Sequence, residues 1–360
     1  MKITQIMLSA GFGGAERYFV DLCQALQERG HIVQAVCHSG FIARQDLEKN
    51  NAIQLDPFSV MGWWDLYHQA KIRAAIDRFN PDIVHAHLAR ASYVAGKACS
   101  SLHLPLVVKT HNYVKLKYYR NVNHFITTTP DQKKYLMMHQ VDESIISVIP
   151  NFSSIAVKKV DEYRGDELQF AAYGRLVKKK GMHILLEAFK QFLEAGNRAT
   201  LHIGGEGPEL TNLKALTETL GLQQKVVFHG WINNAADFIS RYDIMVLPSL
   251  DEPFGIVVLE VMASGKPLIA TRTDGPMEIL DENSAYMVEP GEVRALNMAL
   301  VEAAANPEKR TARARTAQTL FTDRYSEAKV VPSIIETYEQ VIRRLVTSHP
   351  VAGAGSHPPR

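Results

Sequence analysis

Tyr242-Asp243-Ile244-Met245-Val246-Leu247-Pro248-Ser249-Leu250-Asp251-Glu252-Pro253-Phe254-Gly255-Ile256-Val257-Val258-Leu259-Glu260 runs from a strand, through a loop, into a helix. The apolar run Ile244–Leu247, closed by Pro248, reads as a strand buried on both faces. The pattern from Gly255 to Ser264 reads as a helix. Glu252 therefore sits in a strand-to-helix loop, and Glu260 follows about two turns later. Free amides and the dipole at a helix start favour phosphate. Carboxylates accept from sugar and ribose hydroxyls. A sugar, a diphosphate and a ribose in one row describe a nucleotide-sugar. The spacing by itself leaves open a loop acid and a solvated helix acid with no ligand.

The same alternation extends in both directions. Before this stretch come strands Ile3–Leu8, Ile32–Cys37, Ile83–His87, Leu106–Thr110, His124–Thr128 and Ile145–Ile149. Helices Ala15–Arg29, Trp63–Phe79, Ser92–Leu102 and Gln132–His139 stand between them. The pattern breaks at Pro150, and residues 151–167 read as a polar linker. It restarts with strands Leu168–Tyr173, Thr200–Gly204 and Val226–His229 and helices Met182–Ala195, Glu209–Leu220 and Ala235–Arg241. Strand Pro267–Ala270 follows the opening stretch. Strands separated by helices predict parallel sheets covered on both faces. Two domains are expected from 360 residues, residues 1–150 and 168–326. An amphipathic helix over Glu327–Thr347 is expected to pack back on the first domain. Residues 348–360 carry a disordered composition.

Composition excludes little. Residues 1–150 hold 16 Lys+Arg against 12 Asp+Glu, an excess of four that suits an anionic partner. Cys23, Cys37 and Cys99 have no ligand spacing, so free thiols in a reducing compartment are expected. No apolar run reaches membrane-spanning length. The short apolar start, broken by Gly11, Gly13 and Gly14, reads as a buried strand and not a signal peptide.

Each chemical motif follows a predicted strand, where ligands of wound parallel sheets bind. Ser9-Ala10-Gly11-Phe12-Gly13-Gly14-Ala15-Glu16-Arg17 leaves amides free at a helix start. It departs from the dinucleotide fingerprint because Glu16 stands where that motif needs glycine. A loop facing phosphate or sugar and a structural turn both remain. In Gly174-Arg175-Leu176-Val177-Lys178-Lys179-Lys180-Gly181, Arg175 offers phosphate a planar fork and Lys180 a point charge. Gly204-Gly205-Glu206-Gly207-Pro208 fits a wall for a planar base, or simply a helix entry. His111, in Lys109-Thr110-His111-Asn112, follows another strand and is a candidate for hydroxyl contact or proton transfer. His85 and His87 share a strand face, with only His87 expected to reach the ligand. They lack a third ligand for a metal. The chain has no Asp-x-Asp anchor and no G-x-S-x-G elbow.

Together these motifs resemble glycosyltransferase family 4. The resemblance rests on Gly13-Gly14-Ala15-Glu16-Arg17, the G-R-x-x-x-x-K-G segment, E-x7-E with internal Phe-Gly, and Pro150-Asn151. It implies an α/β GT-B fold, two doubly wound Rossmann-like domains facing across a cleft. It implies that Arg175 and Lys180 bind diphosphate, and that Glu252 with the backbone of Phe254, Gly255 and Ile256 holds the sugar. Glu260 would bind ribose, Gly205 would line the donor site, and Gly13 and Gly14 would approach the donor from the other domain. His111 would lie near the transferred sugar, with Glu16, Arg17 and His87 on the acceptor side. Retention of anomeric configuration, no cofactor and no obligatory metal are implied as well. One departure is Gly275-Pro276-Met277-Glu278, where proline removes an amide donor.

Val114-Lys115-Leu116-Lys117-Tyr118-Tyr119-Arg120 mixes cations with aromatics, and Met61-Gly62-Trp63-Trp64 pairs tryptophans. Such segments suit an anionic membrane surface, though a solvated turn and a core tryptophan explain them as well. The expected acceptor is a glycan or a lipid-linked glycan, as in lipopolysaccharide synthesis. The expected location is the cytoplasm, peripheral to the membrane's inner face. No nucleic-acid partner is expected. Rival readings are a sugar-nucleotide epimerase, a phosphorylase, or a non-catalytic sugar-nucleotide or glycan binder. The last predicts loss of Arg175, Lys180 or the glutamates, and all are present.

Overall fold

A computed structural model describes residues 1–11, 13–62, 64–160 and 167–348. The chain divides into two compact units, each built on one parallel sheet. In the first, strands β1 (Lys2–Met7), β2 (Ile32–His38), β3 (Ile53–Phe58), β4 (Ile83–His87), β5 (Leu106–Lys109), β6 (His124–Thr127) and β7 (Ile146–Val148) lie in the order β3-β2-β1-β4-β5-β6-β7. Helices α1 (Gly14–Glu28), α2 (Arg44–Glu48), α3 (Leu66–Phe79), α4 (Leu88–Leu102) and α5 (Pro130–Met138) connect them. In the second, β8 (Leu168–Tyr173), β9 (Ala199–Gly204), β10 (Val226–Gly230), β11 (Ile244–Leu247), β12 (Leu268–Thr271) and β13 (Tyr286–Val288) repeat that winding as β10-β9-β8-β11-β12-β13. Its helices are α6 (Met182–Glu194), α7 (Leu210–Thr219), α8 (Ala235–Ser240), α9 (Ile256–Ala263), α10 (Asp274–Ile279), α11 (Val293–Ala305) and α12 (Pro307–Leu320). The last helix, α13 (Glu327–Ser348), passes from the second unit into the first, to which the chain from Val331 on belongs.

Strand alternation builds the cores. In β8, Leu168, Phe170 and Ala172 join Phe189, Phe192 and Leu201 on one face, while Ala171 and Tyr173 join Val258, Leu259 and Met262 on the other. In the first unit Ile6, Leu8, Val36, Val84, Ala86 and Val108 pack with α4 residues Val94 and Ala95. Local capping fixes several helix starts. Asp65 accepts from the His68 amide, Thr129 from Gln132 ahead of Pro130, and Asn234 from Asp237.

The structure adds elements the sequence pattern does not show. β3 and α2 lie between Ile32–Cys37 and the first tryptophans, and β3 escapes notice because Pro57 interrupts it. Proline is tolerated there because β3 is an edge strand. α10, β13, α11 and α12 fill the region from 274 to 320, where weak periodicity hides short elements. Part of the expected linker is not polar in its packing. Phe152 is fully buried, its ring 5.2 Å from that of Tyr18, and the Lys158 amide donates to Ala263 O at 3.0 Å. Residues 161–166 of that linker, the tail over 349–360, and Phe12 and Trp63 of the quoted motifs lie outside the described residues. The three cysteines are buried and free.

Candidate active site

Both sheets reverse their winding between two central neighbours, β8 and β11 in the second unit and β1 and β4 in the first. Connections leave such a pair toward opposite faces, so a crevice opens at the strand ends. In the second unit, the Gly174–Gly181 segment follows β8 and Pro248–Glu252 follows β11. Lys180 Nζ forms an ion pair with Glu252 Oε2, and both side chains are largely buried. Ser249 Oγ donates weakly to the same oxygen at 3.4 Å. The backbones also join, with Leu250 N–H donating to Lys179 O at 2.7 Å. Gly275 N–H donates to Glu252 O at 2.9 Å, so this amide of the Gly-Pro departure is committed within the fold. Its helix α10 comes so close that a Cβ at Gly275 would collide with the Phe254 backbone.

Arg175, in the same Gly174–Gly181 segment as Lys180, is exposed. Gly255 takes φ +86°, which turns the chain into α9 at low steric cost. Phe254 and Ile256 are both buried. Gly205 donates its amide to Gly230 O at 2.6 Å, so that amide is occupied within the fold.

Glu260 is not a solvated helix acid. It is 4% exposed, and the Tyr173 hydroxyl donates to its Oε2. Burial raises its pKa, opposed by that hydrogen bond and by the Arg17 guanidinium. Tyr173 is pushed well up by burial and by the Glu260 charge. Gly13 to Asp21 group with the second unit, Glu16 and Arg17 among them, although both were expected on the acceptor side. A Cβ at Gly14 would stand 3.6 Å from Ile256 Cβ, an ordinary contact, so the packing there does not demand glycine. Arg17 N–H donates to Gly13 O at 3.0 Å, and Glu16 is buried.

In the first unit, His87 ends β4 and His111 follows β5. The expectation that His87 reaches a ligand fails, because it is fully buried. Its Nδ1 lies 3.1 Å from His111 Nε2, and its Nε2 lies 2.8 Å from Gln5 Oε1. His111 is 8% exposed. It adopts φ +56° in a three-residue turn closed by Asn112 N–H to Thr110 O at 2.7 Å. Leu88, just after His87, takes φ +65°. Such left-handed residues cost about 1–3 kcal/mol each and cluster at functional sites. Burial holds His111 well below the usual imidazole range and His87 down to about 3, with the Lys109 charge adding to both. Among the described residues, no three His, Cys, Asp or Glu side chains group as a metal site would require.

Residues 12–155 match the model described as Glycosyltransferase Family 4, and residues 155–320 match Glycosyl transferases group 1. A Rhizobium meliloti protein, "Lipopolysaccharide core biosynthesis glycosyltransferase LpsD", is 30% identical over 96% of this chain and 100% of its own. The chain belongs to glycosyltransferase family 4. A second R. meliloti relative of this glycosyltransferase, the lipopolysaccharide core biosynthesis glycosyltransferase LpsE, is 28% identical over 93% of this chain and 98% of its own. Among solved structures, the Anabaena protein HepE in complex with UDP-glucose superposes with TM-score 0.78 at 20% identity, covering 96% of this chain and 100% of its own. A Rickettsia africae glycosyltransferase superposes with TM-score 0.80 at 19% identity, covering 95% and 99%. The fold of the glycosyltransferase is GT-B.

Sequence reasoning missed Tyr173, Gln5, Lys109 and Tyr338 around these sites. Gln5 and Tyr173 did leave a signal, a polar group inside or ending an apolar strand. Tyr338 left none, since an aromatic on an amphipathic helix reads as core.

Proposed function

We infer that this glycosyltransferase moves a hexose-type sugar from a nucleotide-diphosphate sugar to a glycan or lipid-linked acceptor, with retention and without an obligatory metal. Assembly of a lipopolysaccharide core or another surface polysaccharide is the setting suggested by the LpsD and LpsE names. The observation that carries this reading is the Lys180–Glu252 pair at the β8/β11 reversal, ahead of α9. The lysine suits a diphosphate and the carboxylate suits sugar hydroxyls. A bound donor would take over both partners and satisfy each charge with its own atoms.

The chemistry follows from charge. The anomeric C–O bond to phosphate breaks, and the electron pair leaves with the diphosphate. Lys180, Arg175 and the amides at the start of α9 stabilise that charge. The acceptor hydroxyl forms the new glycosidic bond on the same face, and its proton passes to the leaving phosphate. Glu252 holds sugar hydroxyls and is not a nucleophile. Glu260, buried against Tyr173, receives the ribose. His111 lies near the transferred sugar.

A panel of nucleotides and nucleotide-sugars tests this reading by thermal shift. A donor at 100 times its Kd should add about 2.7 kcal/mol of stability, a rise of several degrees. Absence of a shift with every member would remove the nucleotide-sugar assignment. An anionic membrane surface as partner rests on exposed Met61, Trp64, Leu66 and Tyr67, with Lys71 Nζ 4.3 Å from the Tyr67 ring centroid. The protein should sediment with anionic vesicles at low salt and be released as salt rises. Protein left entirely in the supernatant at low salt would discard that part.

A further inference from the structure

The histidines of the first unit belong to a longer series of buried polar groups. From His111 Nε2 it runs to His87 Nδ1, then from His87 Nε2 to Gln5 Oε1. Gln5 Nε2 donates to the Tyr338 hydroxyl at 3.0 Å, and that hydroxyl lies 2.6 Å from His85 Nδ1. Gln5 is on β1, His85 and His87 on β4, and Tyr338 on α13. All of these but His111 are fully buried. The Gln5 carboxamide faces one histidine through its oxygen and the tyrosine through its nitrogen.

A neutral imidazole has one N–H and one lone pair, and a carboxamide has a donor end and an acceptor end. A hydroxyl donates once while accepting. Each link therefore passes on the direction of the one before it. The Gln5 oxygen on His87 puts that proton on Nε2, leaving His87 Nδ1 to accept from His111 Nε2–H. At the other end, Tyr338 accepts from Gln5 and donates to His85 Nδ1. Reversing the carboxamide would reverse every bond at once and protonate all three rings on Nδ1. Either direction gives the three histidines one common tautomer.

We propose that Gln5 and Tyr338 are positioning residues that couple His85, His87 and His111 into one tautomeric state, so that His111 meets the transferred sugar in a single form. The proposal rests on His111 lying near the transferred sugar, and it assigns the C-terminal helix a part in that task. Groups that face the series are Lys109 on β5 and, near Tyr338, Cys23 on α1. Lys109 Nζ donates to Ile149 O at 2.7 Å. Burial keeps all three rings neutral at pH 7, the condition the coupling requires.

The test is 15N NMR of histidine-labelled full-length protein at pH 7. The three ring patterns should match, with the proton on Nε2. Gln5→Met keeps the volume and removes both amide contacts. It should give averaged nitrogen shifts at His87 and His111, with kcat down about tenfold and donor KM unchanged. Tyr338→Phe removes the oxygen that orients the Gln5 carboxamide, so it should give averaged shifts at His85 and also at His87 and His111. Mixed tautomers in the wild type, or rings unchanged in Gln5→Met, would overturn the proposal. Shifts that change while kcat holds would leave the coupling standing and remove His111 from the reaction. The NMR readout needs no substrate, so the two failures are distinct.

Discussion

Lys180→Ala is expected to lower transfer by about 10²- to 10³-fold, as loss of one strong donor to developing charge does elsewhere. It should also lower stability, because Glu252 is 8% exposed and would exchange its lysine partner for the weak Ser249 contact. Breaking a buried pair from one side costs about 3–5 kcal/mol. The side chains of Lys180 and Glu252 retain 18% and 10% exposure, so about 1–3 kcal/mol is the expected loss here. The two effects separate in the double variant Lys180→Ala/Glu252→Gln. Neutralising the stranded carboxylate should restore the melting temperature and leave transfer low. Transfer restored together with stability would show that Lys180 acts only as a structural partner.

The glutamates should differ in the same assays. Glu252→Ala should impair transfer far more than nucleotide binding, since its carboxylate is assigned to the sugar hydroxyls. Glu260→Ala should weaken nucleotide binding and strand the Tyr173 hydroxyl. Equal losses in both assays for both variants would abolish the division of roles.

Acid should destabilise the first unit well before carboxylates titrate. His87 has a folded pKa of about 3 against an ordinary 6.5, and burial also lowers His85 and His111 well below 6.5. With folded values depressed, the unfolded chain binds more protons below pH 6.5. Stability is therefore fully present above pH 6.5 and lost as pH falls toward 3. Each fully depressed histidine would withdraw about 2 kcal/mol by pH 5. Lys109 has the same sign, but its window opens at the lysine value of 10.5, so its cost already stands at neutral pH. Glu260 in the second unit has the opposite sign. Its raised pKa favours the fold in acid and withdraws stability as pH rises through the folded value. Melting temperature should fall steeply from pH 6.5 to 4.5, and because His124 is also lowered, to about 4, His87→Gln should flatten that slope by about one quarter. An unchanged slope in His87→Gln would show that His87 protonates without unfolding.

The winding of both sheets was legible because it is written locally. Ile83–His87, Leu168–Tyr173 and Ile244–Leu247 are short apolar runs with glycine, proline or a charge beyond them, and each is a strand with those bounds. Backbone pairing and two-sided burial demand that pattern wherever the strand lies. The stretch from 274 to 320 was opaque because α10 and β13 are too short to show a period and α12, though long, carries no apolar stripe. At the site, sequence order alone set Lys180 after β8 and Glu252 after β11. That these loops adjoin follows from the strand order, in which β8 and β11 are neighbours although β9 and β10 separate them in the chain.

Residue types and strand ends were thus enough to indicate family 4 and the GT-B fold, and to mark Lys180, Arg175, Glu252 and Glu260 as candidates. Only the tertiary structure decided which of these are paired, buried or exposed. Glu260 is turned toward Tyr173, His87 is sealed from solvent, and Gln5 and Tyr338 are 333 positions apart yet share a hydrogen bond. Local preference is carried by each residue and its neighbours. Burial and partnership belong to contacts between distant segments, which exist only once the chain has folded.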